Sequence, residues 1–92
     1  MLHIIWNAEK AATNLRKHGV DFHEAATCFG DPLSLTIPNP DHSVTEERWI
    51  LMGLSTAGRL LVVAHVERGD EIRIVTARRA TRRERISYEE DQ

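Results

Sequence analysis

Ninety-two residues and 10.5 kDa make one domain, residues 1–92. An apolar share of 41% excludes disorder, no apolar run reaches the roughly 20 residues of a membrane helix, and a lone cysteine, Cys28, excludes a disulfide. The formal charge of −2 conceals an asymmetry: residues 73–85 hold six arginines against Glu84, half of the 12 Lys and Arg in the chain.

Leu2 to Trp6 is a short run rich in β-formers and reads as a first strand. Its start lacks a basic, apolar leader pattern, so a cytoplasmic protein is expected. Asn7 is placed to cap a helix whose apolar stripe is Ala8, Ala11, Ala12 and Leu15, and Gly19 ends it. A second helix opens at Asp21, which with Glu24 has capping-box spacing, and carries Phe22, Ala25, Ala26 and Phe29 on one side. Gly30-Asp31-Pro32 stops it. Leu33, Leu35 and Ile37 then alternate with polar residues as a strand, and Pro38 to Ser43 reads as a loop. Arg48–Ser55 and Arg59–Arg68 form a hairpin about Thr56-Ala57-Gly58. Gly69-Asp70 turns the chain into a last strand, Glu71–Arg78, and sets Arg68 opposite Glu71.

Thr81-x-x-Glu84 is a capping box and opens a final helix bearing Ile86 and Tyr88. Its charge order opposes the helix dipole, with Arg82 and Arg83 in the first turn and Glu89 and Glu90 in the last. The order β-α-α-β-β-β-β-α predicts an α+β fold with two N-terminal helices, a mostly antiparallel sheet and a C-terminal helix.

The arginine cluster carries the chemistry. On a flat strand Arg73 and Arg79 share one face and Arg78 takes the other, while Arg82, Arg83 and Arg85 open the helix beside its free backbone N–H groups. That is an anion site or, on the plainer reading, a solvated basic face. The five histidines show no metal-ligand spacing, so neither a metal nor another cofactor is expected. His18 suits either a helix C-terminal cap or a function, and His65, after an apolar run, either a core position or proton transfer. Glu46 and Glu47 at the head of the third strand are solvated strand ends or a source of a base. Cys28 fits buried packing.

In order along the chain, Trp6-Asn7-x-x-Lys10-Ala11-x-x-Asn14-x-x-Lys17-His18-Gly19-Val20, Phe29-x-Asp31-Pro32, Asp41-His42-Ser43, Glu46-Glu47-Arg48, Gly58-Arg59-Leu60-Leu61-Val62-Val63-x-His65 and Ile72-Arg73-Ile74-x-x-Ala77-Arg78 resemble the BrnT family of toxins. The resemblance implies a RelE-like fold and a ribonuclease toxin of a type II toxin–antitoxin module, neutralised by a BrnA-type antitoxin. It implies metal-independent cleavage of RNA by 2′-OH attack, inhibiting translation, and no membrane or direct DNA partner. Arg73, Arg78, Arg79, His65, Glu47 and Tyr88 are then the catalytic candidates. Arg82, Arg83, Arg85, Lys17 and His18 are the RNA-binding candidates. No lysine follows residue 17, so a lysine base on the later strands is not available. Arg78 is expected to be indispensable, with Arg79 on the opposite face as its control. A non-catalytic nucleic-acid-binding module using the same arginines is the alternative.

Overall fold

Capping chemistry shapes the first third of the chain in this computed structural model, which describes residues 2–39 and 47–92. β1 (His3–Ile5) leads into α1 (Ala8–His18), which starts where the Asn7 side chain accepts the Lys10 N–H and ends at Gly19 in the left-handed region, φ 69°. α2 (Phe22–Thr27) starts from Asp21, whose carboxylate accepts the His23 N–H at 2.6 Å. The expected capping box is absent there, because Glu24 points instead to Arg59 and Ser55. A single 3-10 turn, Cys28–Gly30, replaces the last α-helical turn expected through Phe29. The remaining elements are β2 (Leu35–Pro38), β3 (Arg48–Leu54), β4 (Leu60–Arg68), β5 (Glu71–Arg79) and α3 (Arg82–Glu90). Most of the expected loop lies outside the described residues, and with it His42 and Glu46.

The sheet order is β1-β5-β4-β3-β2. β2, β3, β4 and β5 pair antiparallel in succession, whereas β1 runs parallel to β5. The sheet is therefore mixed, a correction to the mostly antiparallel one expected. A parallel partner needs a crossover connection, and here nearly the whole chain intervenes, so no local pattern announces it.

One irregularity governs which side chains share a face. Ala64 pairs with Thr76 but His65 pairs with Ile74, so Val75 is an extra residue, a β-bulge. Beyond it the alternation of β5 restarts with the opposite parity.

The helices and the 3-10 turn cover one face of the sheet. Val20, Phe22, Ala25 and Cys28 pack there on Leu51, Leu61, Val63, Ile74 and Ala77. The 3-10 turn lies so close to β3 that a Cβ on Gly53 would stand 2.9 Å from the Cys28 carbonyl oxygen. Burial pushes the Cys28 thiol up to about 12, which suits it to packing rather than nucleophilic attack.

α1 does not bury the stripe its sequence suggests. Leu15 is 49% exposed, while the polar Asn14 is 4% exposed. The Asn14 Nδ2 donates to the carbonyl oxygens of Val20 (3.0 Å) and Ala77 (2.8 Å), and its Oδ1 accepts the Ala77 N–H at 3.1 Å. β1 pairs with β5 only as far as Arg73, so at Ala77 the amide of Asn14 supplies the bonds a longer β1 would have made.

Replacing Asn14 with Leu leaves three buried backbone groups without those partners. Urea denaturation of Asn14→Leu is expected to show a loss of about 2–4 kcal/mol. Leu15→Gln, on the exposed side of the same helix, should stay within about 0.5 kcal/mol.

Candidate nucleic-acid interface

Among the described residues the sheet face turned away from α1 and α2 is covered at one end, by α3. Strand register divides this open face into lateral rows. Ile5, Arg73, Val66 and Arg48 form one row. Thr76, Ala64, Ile50 and Ile37 form the next, and Arg78, Val62, Met52 and Leu35 the third. Strands lie about 4.8 Å apart, so Arg48 and Arg73, on either side of Val66, stand about 10 Å apart along the row.

The bulge corrects the expected distribution of arginines. Arg73 and Arg78 share the open face, and Arg79, opposite Leu61, belongs to the helix-covered face. Arg79 is exposed there, and its charge helps hold the Glu24 carboxyl low. The larger cause is the hydrogen-bonded Arg59 guanidinium, whose Nε lies 2.9 Å from Glu24, acting against burial.

Two of the candidate catalytic residues act as clasps for α3. Arg78 donates through both terminal nitrogens to the Glu84 carboxylate, at 2.8 and 2.9 Å. Glu84 also accepts the Thr81 N–H, completing the capping box. The bidentate guanidinium pulls the Glu84 carboxyl down to about 2, outweighing burial. Tyr88 donates its hydroxyl to Asp31 Oδ2 at 2.6 Å, and Asp31 also accepts the N–H groups of Leu54 and Leu33. Burial pushes Asp31 up, but these three donors together hold it below its ordinary range. The same carboxylate drives the Tyr88 phenol up to about 12.

The remaining candidates are dispersed. His65 is buried on the helix-covered face, edge-on to Phe29 at 4.9 Å, with Nε2 2.9 Å from the Glu67 carboxylate and Nδ1 unpartnered. Glu47 is exposed immediately before β3, its carbonyl accepting the Glu67 N–H. Arg82, Arg83 and Arg85 are exposed at the start of α3 and make no ion pair among the described residues. The expected convergence of guanidiniums from β5 and α3 is thus corrected. Arg78 is committed to Glu84, and Arg79 lies on the other face.

Two hollows meet at the bulge. One, of about 440 Å³, runs beside α1 and is lined by Lys10, Thr13, Lys17 and His18 together with Val75 and Thr76. The other, of about 180 Å³, is lined by Arg48, Ala64 and His65 and by the same Val75 and Thr76. Val75 and Thr76 line both, so Lys17 and His18, with Glu9 beside them, and Arg48 flank the same stretch of β5. Arg48 escaped the sequence-based candidates because its face is set by register with β4, which hydrophobic spacing does not report. Among the described residues no three His, Cys, Asp or Glu side chains are grouped as metal ligands, and no helix is long and apolar enough to cross a membrane.

A family model described as ribonuclease toxin, BrnT, of type II toxin–antitoxin system matches residues 6–84. The crystal structure of the Brucella abortus ribonuclease toxin BrnT is similar in fold, with a TM-score of 0.68 at 21% identity, over 89% of this chain and 100% of that chain. No curated protein matches the sequence.

The Arg78–Glu84 clasp makes stability depend on pH. Glu84 titrates at about 2 when folded, below its ordinary 4.5, so its contribution is complete above that ordinary value and fades as pH falls towards about 2. Thermal melts of the protein and of Glu84→Gln should therefore differ most near pH 7 and converge near pH 2.

Proposed function

Because the chain belongs to the family of BrnT ribonuclease toxins of type II toxin–antitoxin systems, we propose that it cleaves RNA on the open face of its sheet without a metal ion. In this reading a ribose 2′-OH loses its proton to a base and attacks the adjacent phosphorus, and the 5′ oxygen leaves with a proton from water, giving a 2′,3′-cyclic phosphate and a 5′-hydroxyl end. The observation that carries the proposal is the row Arg48–Val66–Arg73, which sets two arginines on one face at a spacing that suits a single phosphate. Guanidiniums fixed there stabilise the charge that grows on the phosphorane, and electrostatic stabilisation of that kind dominates such catalysis.

A base is also needed, and arginine is a poor one because it holds its proton above a pKa of roughly 12. Among the described candidate bases Glu47 is exposed, at the head of β3, and we propose it for that role. The hollow lined by Lys10, Lys17 and His18 takes flanking nucleotides by their phosphates, and Arg82, Arg83 and Arg85 contact the backbone on the other side. Arg78 and Tyr88 act through their hold on α3, and His65 and Arg79 stay outside the reacting group.

The reading extends to a RelE-like mode of action in the cytoplasm, in which loss of RNA inhibits translation and a BrnA-type antitoxin neutralises the toxin. The alternative, a nucleic-acid-binding module without catalysis, draws on the same C-terminal arginine cluster.

Purified protein incubated with RNA in EDTA separates the two. New RNA ends support cleavage, whereas a shifted band with steep salt dependence and no new ends overturns it. Arg73→Ala should slow cleavage about 10²–10³-fold, with a thermal melt beside it to read any loss of folding. Glu47→Gln should slow it about 10²–10⁴-fold, and Arg79→Ala should leave the rate within a few-fold.

A further inference from the structure

The open face changes character between its basic row and α3. Beside the helix, Leu35, Ile37, Ile50, Met52 and Val62 line an apolar hollow of about 290 Å³, closed on one side by Glu84 and Ser87. Ile37 is 56% exposed. β2 is the last strand of the sheet, and no described strand pairs with its outer edge. Apolar side chains gathered in one hollow at the surface are suited to receive an apolar partner.

Charge is ordered along the helix that closes the hollow. Arg82, Arg83 and Arg85 occupy the N-terminal half of α3, and Glu89, Glu90 and Asp91 follow at the other end. Glu84, between them, is neutralised by Arg78. This order runs against the helix dipole, a cost that an acidic neighbour at the N-terminal half would offset.

We propose that this groove is where the antitoxin docks, through an amphipathic segment. Its aliphatic or aromatic side chains fill the hollow, and its carboxylates pair with Arg82, Arg83 and Arg85. The inference rests on the toxin–antitoxin reading and adds the surface and the chemistry of the partner. RNA is a poor occupant, since phosphates set over Ile37, Ile50 and Met52 would lose water without gaining a charged partner. The groove adjoins the Arg48–Arg73 row on the same face, so a segment bound in it also obstructs the approach of RNA. Neutralisation then follows from occlusion.

The toxin is titrated with a BrnA-type antitoxin, with binding read by calorimetry and folding of each variant by thermal melt. Ile37→Asp puts a carboxylate in the groove, and Leu15→Asp makes the same change at a similarly exposed apolar position on α1, which is 49% exposed. The expected result is a loss of roughly thirtyfold or more in affinity for Ile37→Asp and less than about threefold for Leu15→Asp. Combining Arg82→Gln, Arg83→Gln and Arg85→Gln should also weaken binding and flatten its salt dependence, and this arm stands even if Ile37→Asp does not fold. Unchanged binding by both the Ile37 and the arginine variants overturns the proposal. So does loss at Leu15, or a toxin that is already a dimer alone and falls apart on Ile37→Asp. Binding is the readout throughout, so a toxin that proves unable to cut RNA leaves this test intact.

Discussion

A buried amide takes the place of a missing strand. β1 is three residues long and leaves the edge of β5 beyond Arg73 without a neighbour, in a region where α1 packs against the sheet. Asn14 meets both backbone groups of Ala77 and the carbonyl of Val20, so one side chain ties together α1, the turn into α2 and β5. Buried backbone polar groups must find partners, and α1 is therefore held at the distance an amide can span. The larger basic hollow exists because of that spacing. It lies between α1 and the stretch of β5 that β1 does not reach.

Arginine, the most conspicuous feature of the sequence, divides into distinct structural roles. Arg59 and Arg78 are bound to carboxylates that fasten one element to another: Glu24 joins α2 to the β3–β4 hairpin, and Glu84 joins β5 to α3. Bidentate pairs of this kind fix geometry as well as charge. Arg48 and Arg73 lie across Val66 on the open face, and Arg82, Arg83 and Arg85 line one end of a helix. A linear count of charge merges these groups, whereas the fold separates a basic row on the sheet from a basic helix end.

What can be read from the residues is local. Asn7 and Gly19 bracket α1, Thr81 and Glu84 close their box, Gly58 turns the β3–β4 hairpin with φ 82°, and Arg68 stands opposite Glu71, each from contacts a few residues apart. What cannot be read depends on distant partners. Leu15 looks like a core residue until Asn14 finds Ala77 and turns the helix. Tyr88 looks like a catalytic hydroxyl until Asp31, far away in the chain, takes it. Simple alternation puts Arg78 and Arg79 on the wrong faces, because Val75 is an extra residue that no propensity marks. The candidate site accordingly lies not among guanidiniums gathered at the end of β5 but in a row across three strands that includes Arg48.

That unpaired residue in β5 separates two kinds of genetic change. A replacement at Val75 that still fits the two hollows it lines keeps every other side chain of β5 on its own face. Losing the codon altogether is a different matter: every side chain between it and the 69–70 turn, or every one after it, would have to exchange sides of the sheet, sending either Ile74 into water or Arg78 into the core. At this spot the fold depends on a count of residues, and an in-frame deletion is the lesion it tolerates least.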